Sequence, residues 1–282
     1  MKKITLSISL IFLPLILNCQ APFPSSEEIR QFMTSKTCVV LDNASTVYNA
    51  LIKKSVNACW KITPVEFIRK DDFEKWRKDP SLSFLILTET SFERDKSSTK
   101  YNFINLLQGK DVNTIGEMPE ICAIPLSPAG EDDIEYGYKM EALLNFIQKH
   151  ASLISADPSL TGRKYLKYYN KNVPQVAGKT ILVMKDDLSP EINAINKIKL
   201  FYSNKIKIVP EDTIIQAITE KAPGMLVLVK VGPGADNRDH GYCFKMLIGT
   251  DDNEMYYYNQ HLIDTNNPDG LLPSDLKRLA RF

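Results

Sequence analysis

The chain contains 282 residues, of which 44% are hydrophobic and 24% are charged, and its 35 basic and 34 acidic side chains nearly cancel. This composition is typical of a globular protein and excludes a largely disordered chain. The formal net charge of +1 excludes a protein that binds nucleic acid through bulk positive charge. The length is sufficient for about two domains of roughly 100–150 residues each.

The first nineteen residues have the pattern of a secretory signal peptide. Lys2 and Lys3 supply positive charge, and residues 4–17 form an apolar stretch without charges. This stretch is shorter than the about 20 residues of a membrane-spanning helix, and a buried N-terminal helix would normally show a polar face. We therefore predict that residues 1–19 direct export.

The end of this segment favours a lipid anchor. The residues Ile16, Leu17, Asn18 and Cys19 resemble the lipobox of bacterial lipoproteins, in which the Cys becomes the acylated first residue of the mature protein. The sequence departs from that motif at Asn18, where the motif has Gly, Ala or Ser. Cleavage after Ala21 is the alternative and predicts a soluble periplasmic or secreted protein. Acylation at Cys19 instead predicts a lipoprotein of the outer membrane or facing the periplasm.

Residues 36–154 alternate between strand and helix patterns, after a tether and a short helix in residues 20–35. In the helix predicted over residues 43–59, Val47 is placed on the buried stripe. In the helix predicted over residues 71–78, Trp76 shares an apolar face with Phe73. The predicted elements are, in chain order, a strand at 37–41, a helix at 43–59, a strand at 64–68, a helix at 71–78, strands at 83–88, 101–107 and 121–126, and a long helix at 132–154.

The second half of the chain repeats this order. Residues 179–184 resemble residues 36–41, and residues 242–247 resemble residues 101–106. The remaining predicted elements are strands at 206–209, 225–231 and 255–258 and helices that begin near Glu211 and Leu271.

The shared order predicts a tandem duplication. We expect an α/β protein with two weakly similar domains, residues 36–154 and 179–282, joined by a linker over residues 155–178. Each domain is expected to be a mixed β-sheet packed with helices, in the order β-α-β-α-β-β-(β)-α.

The cysteines and histidines predict no metal and no cofactor. The later cysteines, Cys38, Cys59, Cys122 and Cys243, have no metal-ligand spacing, and three lie in apolar runs. We expect buried free thiols, although an exported protein can form disulfides. His150 is expected at the solvated end of the long helix.

His240 lies in a loop rich in Asp and Asn, and residues 251–254 form a second acidic loop one strand later. Such oxygen ligands and one imidazole can hold a divalent cation. The ion-binding spacing is incomplete, however, and Asp and Asn are common in hairpin turns for their own reasons. We therefore expect turns at both places.

Four carboxylates follow predicted strands in both halves: Asp42, Asp71, Asp186 and Asp212. We expect them to cap the following helices. The alternative is an envelope hydrolase that uses these carboxylates between the domains, where α/β sheets bind ligands.

The linker supplies the candidate partner-binding residues Arg163 and Tyr168, because cations and aromatics alternate in residues 163–171. The same stretch can instead form a short amphipathic helix that packs between the domains. No catalytic spacing is recognisable, so we predict a non-catalytic cell-envelope protein that binds an envelope protein or a glycan. A protein that binds a small ligand or glycan in an interdomain groove is a further alternative.

Overall fold

The structure is a computed structural model that describes residues 22–97, 99–162, 164–234 and 239–281. The predicted acylation site Cys19 and the candidate binding residue Arg163 lie outside the described residues. Within the described residues, no helix is both long and apolar enough to cross a membrane.

The first half forms a five-stranded mixed sheet in the order β2-β1-β3-β4-β5, in which β1 pairs in parallel with β2 and β3 and the last two pairs are antiparallel. Its elements are α1 (Ser26–Thr34), β1 (Lys36–Leu41), α2 (Thr46–Cys59), β2 (Val65–Arg69), α3 (Lys70–Trp76), β3 (Leu82–Ser91), β4 (Lys100–Gln108), β5 (Glu120–Pro128), α4 (Asp133–Gly137) and α5 (Met140–Ala156).

The second half forms another five-stranded mixed sheet, in the order β7-β6-β8-β9-β10. Its elements are α6 (Tyr165–Tyr168), β6 (Thr180–Val183), α7 (Ile195–Ile198), β7 (Ile206–Ile208), α8 (Glu211–Thr219), β8 (Met225–Val231), β9 (Tyr242–Gly249), β10 (Met255–Leu262) and α9 (Pro273–Leu279). Short 3₁₀ turns at 158–160, 169–178, 185–187 and 190–192 complete this half within the described residues.

The two sheets have the same strand order and the same strand directions. Counted along the chain, the first strand of each sheet pairs in parallel with the second and the third. The fourth and fifth strands are antiparallel to their neighbours. The predicted α/β class with two related mixed sheets is therefore confirmed. The helices differ between the halves. The long helix α2 of the first half is replaced in the second by short turns and α7, and α4 and α5 follow β5 where only α9 follows β10.

One apolar core joins the inner faces of both sheets. Val39 of β1 and Leu182 of β6 point into it, whereas their neighbours Val40 and Val183 point to the outer faces. This alternation is the two-residue period of a β-strand. Helix α5 lies in the shared core, with Leu143 fully buried. The two halves therefore pack together through a continuous apolar layer.

The segment between the halves covers the outer edges of both sheets. The Tyr165 hydroxyl accepts a hydrogen bond from Ala123 N of β5 (2.5 Å) and donates one to Ala123 O (2.9 Å). The Asn170 side chain bonds Tyr258 N and O of β10 in the same way, at 2.7 and 3.0 Å. Side chains thus replace a neighbouring strand, which protects the edges from pairing with another chain. Packing of Leu166 and Tyr169 into the core matches the amphipathic-helix alternative for this segment.

The single long helix predicted over residues 132–154 is wrong, because the structure has two helices, α4 and α5. A Cβ atom at Gly137 would lie 2.8 Å from Leu51 Cδ1, so α4 approaches α2 so closely that a larger residue would require the Leu51 side chain to move. The chain then turns at Tyr138 and Lys139, which directs the Lys139 amine toward the second half.

Two helix faces also differ from the prediction. Val47 is 40% exposed, and Tyr48 is buried in its place. Trp76 is 36% exposed, whereas Phe73 of the same helix packs on Phe84 with ring centroids 5.1 Å apart.

Candidate functional site

The four aspartates predicted to cap helices do not do so. Ser45 caps α2, and Asp42 instead accepts hydrogen bonds from Ala44 N (2.6 Å) and Ser45 N (3.0 Å), which shapes the turn before the helix. Asp71 and Asp212 lie within the first turns of α3 and α8, where a negative charge suits the helix dipole.

Asp186 lies in the 3₁₀ turn that follows β6 and points to solvent. Among the described residues, no three His, Cys, Asp or Glu side chains are grouped so that they could hold a metal ion. These four carboxylates therefore provide no recognisable metal centre in the described part of the chain.

The neighbour of Asp186 has a different environment. Asp187 is 6% exposed, and its Oδ2 atom has no hydrogen-bond partner among the described residues. Burial raises the pKa of this carboxyl to about 6, and the nearby charges of Lys230 and Lys139 oppose that rise. Asp187 follows the carboxyl end of β6, which is the end of a parallel strand where α/β proteins commonly place ligands.

Two lysines and a second aspartate surround Asp187. Lys230, near the end of β8, forms an ion pair with Asp269 at 2.7 Å. Lys139 comes from the first half and donates a hydrogen bond to Lys230 O at 3.3 Å. Burial lowers the pKa of Lys139, while Asp187 and other acids act against that shift. We call Lys139, Asp187, Lys230 and Asp269 the junction cluster, because both halves contribute to it.

The sequence analysis missed the junction cluster, although a signal was present. Lys230 lies in the otherwise apolar strand MLVLVKV, and a lysine in such a run needs a partner when it is buried. Chemically, the cluster combines a carboxyl that is easily protonated with two ammonium groups. Such a set can transfer a proton or bind a small polar ligand, provided that solvent can reach it.

A second buried network lies in the outer layer of the second sheet. Lys245 and Asp275 are both fully buried and form an ion pair at 2.5 Å. The other Asp275 oxygen accepts hydrogen bonds from the Tyr257 hydroxyl (2.6 Å) and the Asn259 amide (2.7 Å). His261 Nδ1 lies 2.9 Å from Lys245 Nζ, and its Nε2 lies 3.0 Å from Pro268 O.

Each of the side chains Lys245, Asp275 and His261 has hydrogen-bond partners within this network, which favours a structural role. Burial acts to raise the pKa of Asp275, but Lys245 and the surrounding donors hold it below its usual range. Burial and the Lys245 charge lower the pKa of His261, so the imidazole is neutral and its Nδ1 accepts from the ammonium. Lys245, Asp275 and His261 are each bonded to partners inside the protein, so none of them has the accessible environment of a reactive nucleophile.

The cysteines and His150 are also buried. Cys38, Cys59, Cys122 and Cys243 are free and buried, as expected from the sequence. Burial raises the pKa of the Cys38 thiol to about 11 and of the Cys243 thiol to about 12, so neither is an activated nucleophile.

The predicted solvated position of His150 is wrong. It is 2% exposed and stacks on Tyr165 with ring centroids 4.6 Å apart, and Tyr169 Oη lies 2.9 Å from its Nδ1 atom. Burial lowers its pKa to about 4.

Tyr168, the described one of the two candidate partner-binding residues, is half-buried in α6. Lys171 Nζ lies 3.9 Å from the centroid of its ring and also donates to its hydroxyl. The exposed part of this pair presents an aromatic face with a cation, a combination that suits a protein or glycan surface.

Comparison of the chain with known proteins found no matching family model, no similar curated protein and no similar solved structure. The function therefore has to be inferred from the residues of this chain.

Proposed function

We propose that this protein is an exported, lipid-anchored, non-catalytic protein of a Gram-negative-type cell envelope that binds a partner through its two related α/β halves. The observation that carries the proposal is the continuous apolar core between the sheets. Leu143 and Phe146 of α5 are fully buried in this core, at the place where an interdomain groove would otherwise bind a ligand. A filled interface supports recognition by the outer surface.

The N-terminal residues support the anchor. An apolar run over residues 4–17 is followed by Cys19, and two lysines precede the run. Growth with labelled fatty acid tests this part, because the wild-type chain should incorporate the label and Cys19→Ala should not. A mature protein that begins at Pro22 by mass spectrometry would contradict the anchor.

The partner is tested by photo-crosslinking in intact cell envelopes. A photoreactive amino acid that replaces Tyr168 should give one discrete crosslinked species. Leu200, which is 77% exposed near β7, is the control position and should give none. The same species at both positions, or none at Tyr168, would argue against binding through this surface.

The junction cluster favours a second candidate function, a hydrolase or small-ligand protein with a carboxylate site between the halves. The observation that favours it is the buried Oδ2 atom of Asp187, which lies beside two lysines and has no hydrogen-bond partner in the described part of the chain. Asp187→Asn distinguishes the two functions. The readout is the cellular phenotype that deletion of the protein causes. If the substituted protein folds but no longer prevents this phenotype, the junction cluster is a chemical site. If it still prevents the phenotype and still crosslinks at Tyr168, the binding function is favoured.

A further inference from the structure

The folded chain begins close to the proposed acylation site. Only Gln20 and Ala21 separate Cys19 from Pro22, so the Cα atoms of Cys19 and Pro22 are at most about 11 Å apart. Pro22 is already fixed, because its carbonyl accepts a hydrogen bond at 3.1 Å from Glu120 N, the first residue of β5.

The next residues are fixed as well. Pro24 is buried, and Ser25 and Glu28 form a capping box at the start of α1. The predicted tether thus offers almost no free length. Whichever face of the protein surrounds Pro22 must lie against the membrane if Cys19 is acylated.

That face is the amino edge of the first sheet, which we define as the end where β1, β3 and β5 begin. Around Pro22 it is held together by two ion pairs, Glu28 with Lys110 at 2.8 Å and Lys78 with Asp111 at 2.8 Å. The Arg77 guanidinium donates to the carbonyls of Val112 and Asn113, which attaches the end of α3 to the same face.

Three apolar side chains at this edge are exposed: Phe23 (39%), Trp76 (36%) and Ile115 (36%). Aromatic side chains are favoured at the membrane–water interface, where the ring meets the headgroups. The charges of the edge are of both signs and largely paired, so electrostatic attraction to anionic lipid is not what would hold it there.

We infer that the amino edge of the first sheet, with Phe23, Trp76 and Ile115, is the surface that lies on the lipid bilayer. This inference rests on the proposed lipid anchor at Cys19. It also places the opposite end of the sheet away from the membrane, because the ten residues of β3 span about 33 Å. Glu93, an exposed residue of the loop between β3 and β4, then faces outward, where a partner can reach it.

The test measures the distance of two sites from the bilayer in the full-length, processed protein. Ile115→Cys at the amino edge and Glu93→Cys in the loop at the opposite end each receive a fluorophore, since the four later native cysteines are buried. The protein is reconstituted in phosphatidylethanolamine–phosphatidylglycerol vesicles that carry a nitroxide on the lipid headgroup. Fluorescence at position 115 should be quenched several-fold more strongly than at position 93. Equal or reversed quenching would overturn the orientation.

A lengthened tether provides the matched control. Ten Gly and Ser residues inserted between Ala21 and Pro22 add a root-mean-square length of about 17 Å. Quenching at position 115 should then decrease while incorporation of labelled fatty acid stays the same. If the label is incorporated but the linker leaves quenching unchanged, the short tether does not set the orientation. The inferred orientation is then wrong, while the proposed lipid anchor stands. If the wild-type chain takes up no label, the inference fails together with the proposed anchor.

Discussion

The Tyr101 hydroxyl accepts a hydrogen bond from Tyr242 N at 2.7 Å and donates one to Tyr242 O at 3.0 Å. These two tyrosines are 141 residues apart. Tyr101 is the second residue of β4 and Tyr242 is the first residue of β9, and each strand is the fourth along the chain in its sheet. In a twofold symmetric dimer, residues near the symmetry axis contact the same residues of the other copy. The corresponding strands β4 and β9 of the two halves therefore meet at this contact.

Tyr101→Phe should destabilise the protein by about 1–3 kcal/mol, because it leaves the Tyr242 N–H and C=O without their partner while the ring stays in place. Urea unfolding measures the change. Tyr168→Phe is the matched control, since among the described residues its hydroxyl is bonded only to the exposed Lys171, and its effect should stay within about 0.5 kcal/mol. Equal losses in both variants would show that Tyr101 does not hold the halves together.

Gly241→Ala should disturb the same contact. Gly241 has φ +105°, and a Cβ atom there would lie 2.4 Å from Tyr101 Oη. Gly130 also has a positive φ, +82°, but a Cβ atom there meets nothing within 4 Å. Gly130→Ala should therefore cost only the backbone strain of about 1–2 kcal/mol, and Gly241→Ala should cost more. Similar thermal midpoints for both variants would contradict a steric role for Tyr101.

The strands and their order along the chain could be predicted from the sequence, because buried strands are apolar runs separated by turn residues. The prediction of β8 at 225–231 coincides with the structure. The environment of single side chains was not accessible in this way. Asp186 and Asp187 are adjacent and chemically equal, and only the path of the turn after β6 decides which one is buried. His150 is buried because residues far along the chain, Tyr165 and Tyr169, pack over it.

Lys245→Met should be strongly destabilising, by about 3–5 kcal/mol, because Asp275 would keep its charge in a fully buried position without its ion-pair partner. Adding Asp275→Asn should restore part of that loss, since Asn is neutral and its single amide oxygen can still accept the hydrogen bond from Leu272 N. The comparison of the two single variants with the double variant in urea gives the coupling energy. If the double variant loses as much free energy of unfolding as the two single variants lose together, the broken ion pair is not the source of the loss.

The pH dependence of stability should reveal Asp187. Its pKa is raised from 3.8 to about 6 in the folded state, so the unfolded chain loses this proton first as the pH rises. Asp187 therefore lowers the free energy of unfolding progressively between about pH 3 and 7, and by a constant amount of about 3 kcal/mol above that range. Below about pH 3 the carboxyl is protonated in both states and has no such effect.

Asp187→Asn should remove this penalty. The variant should match the wild type near pH 3 and exceed its free energy of unfolding at pH 7, measured by urea unfolding at several pH values. Taking the difference from the wild type cancels other groups that titrate in this range, such as His150. Asp186→Asn is the control for a substitution in the same turn, because its side chain is exposed. Natural proteins keep a destabilising buried charge most readily where it has a function. A gain in stability that comes with a loss of phenotype would therefore favour the chemical site at the junction cluster, and a gain without such a loss would favour surface binding.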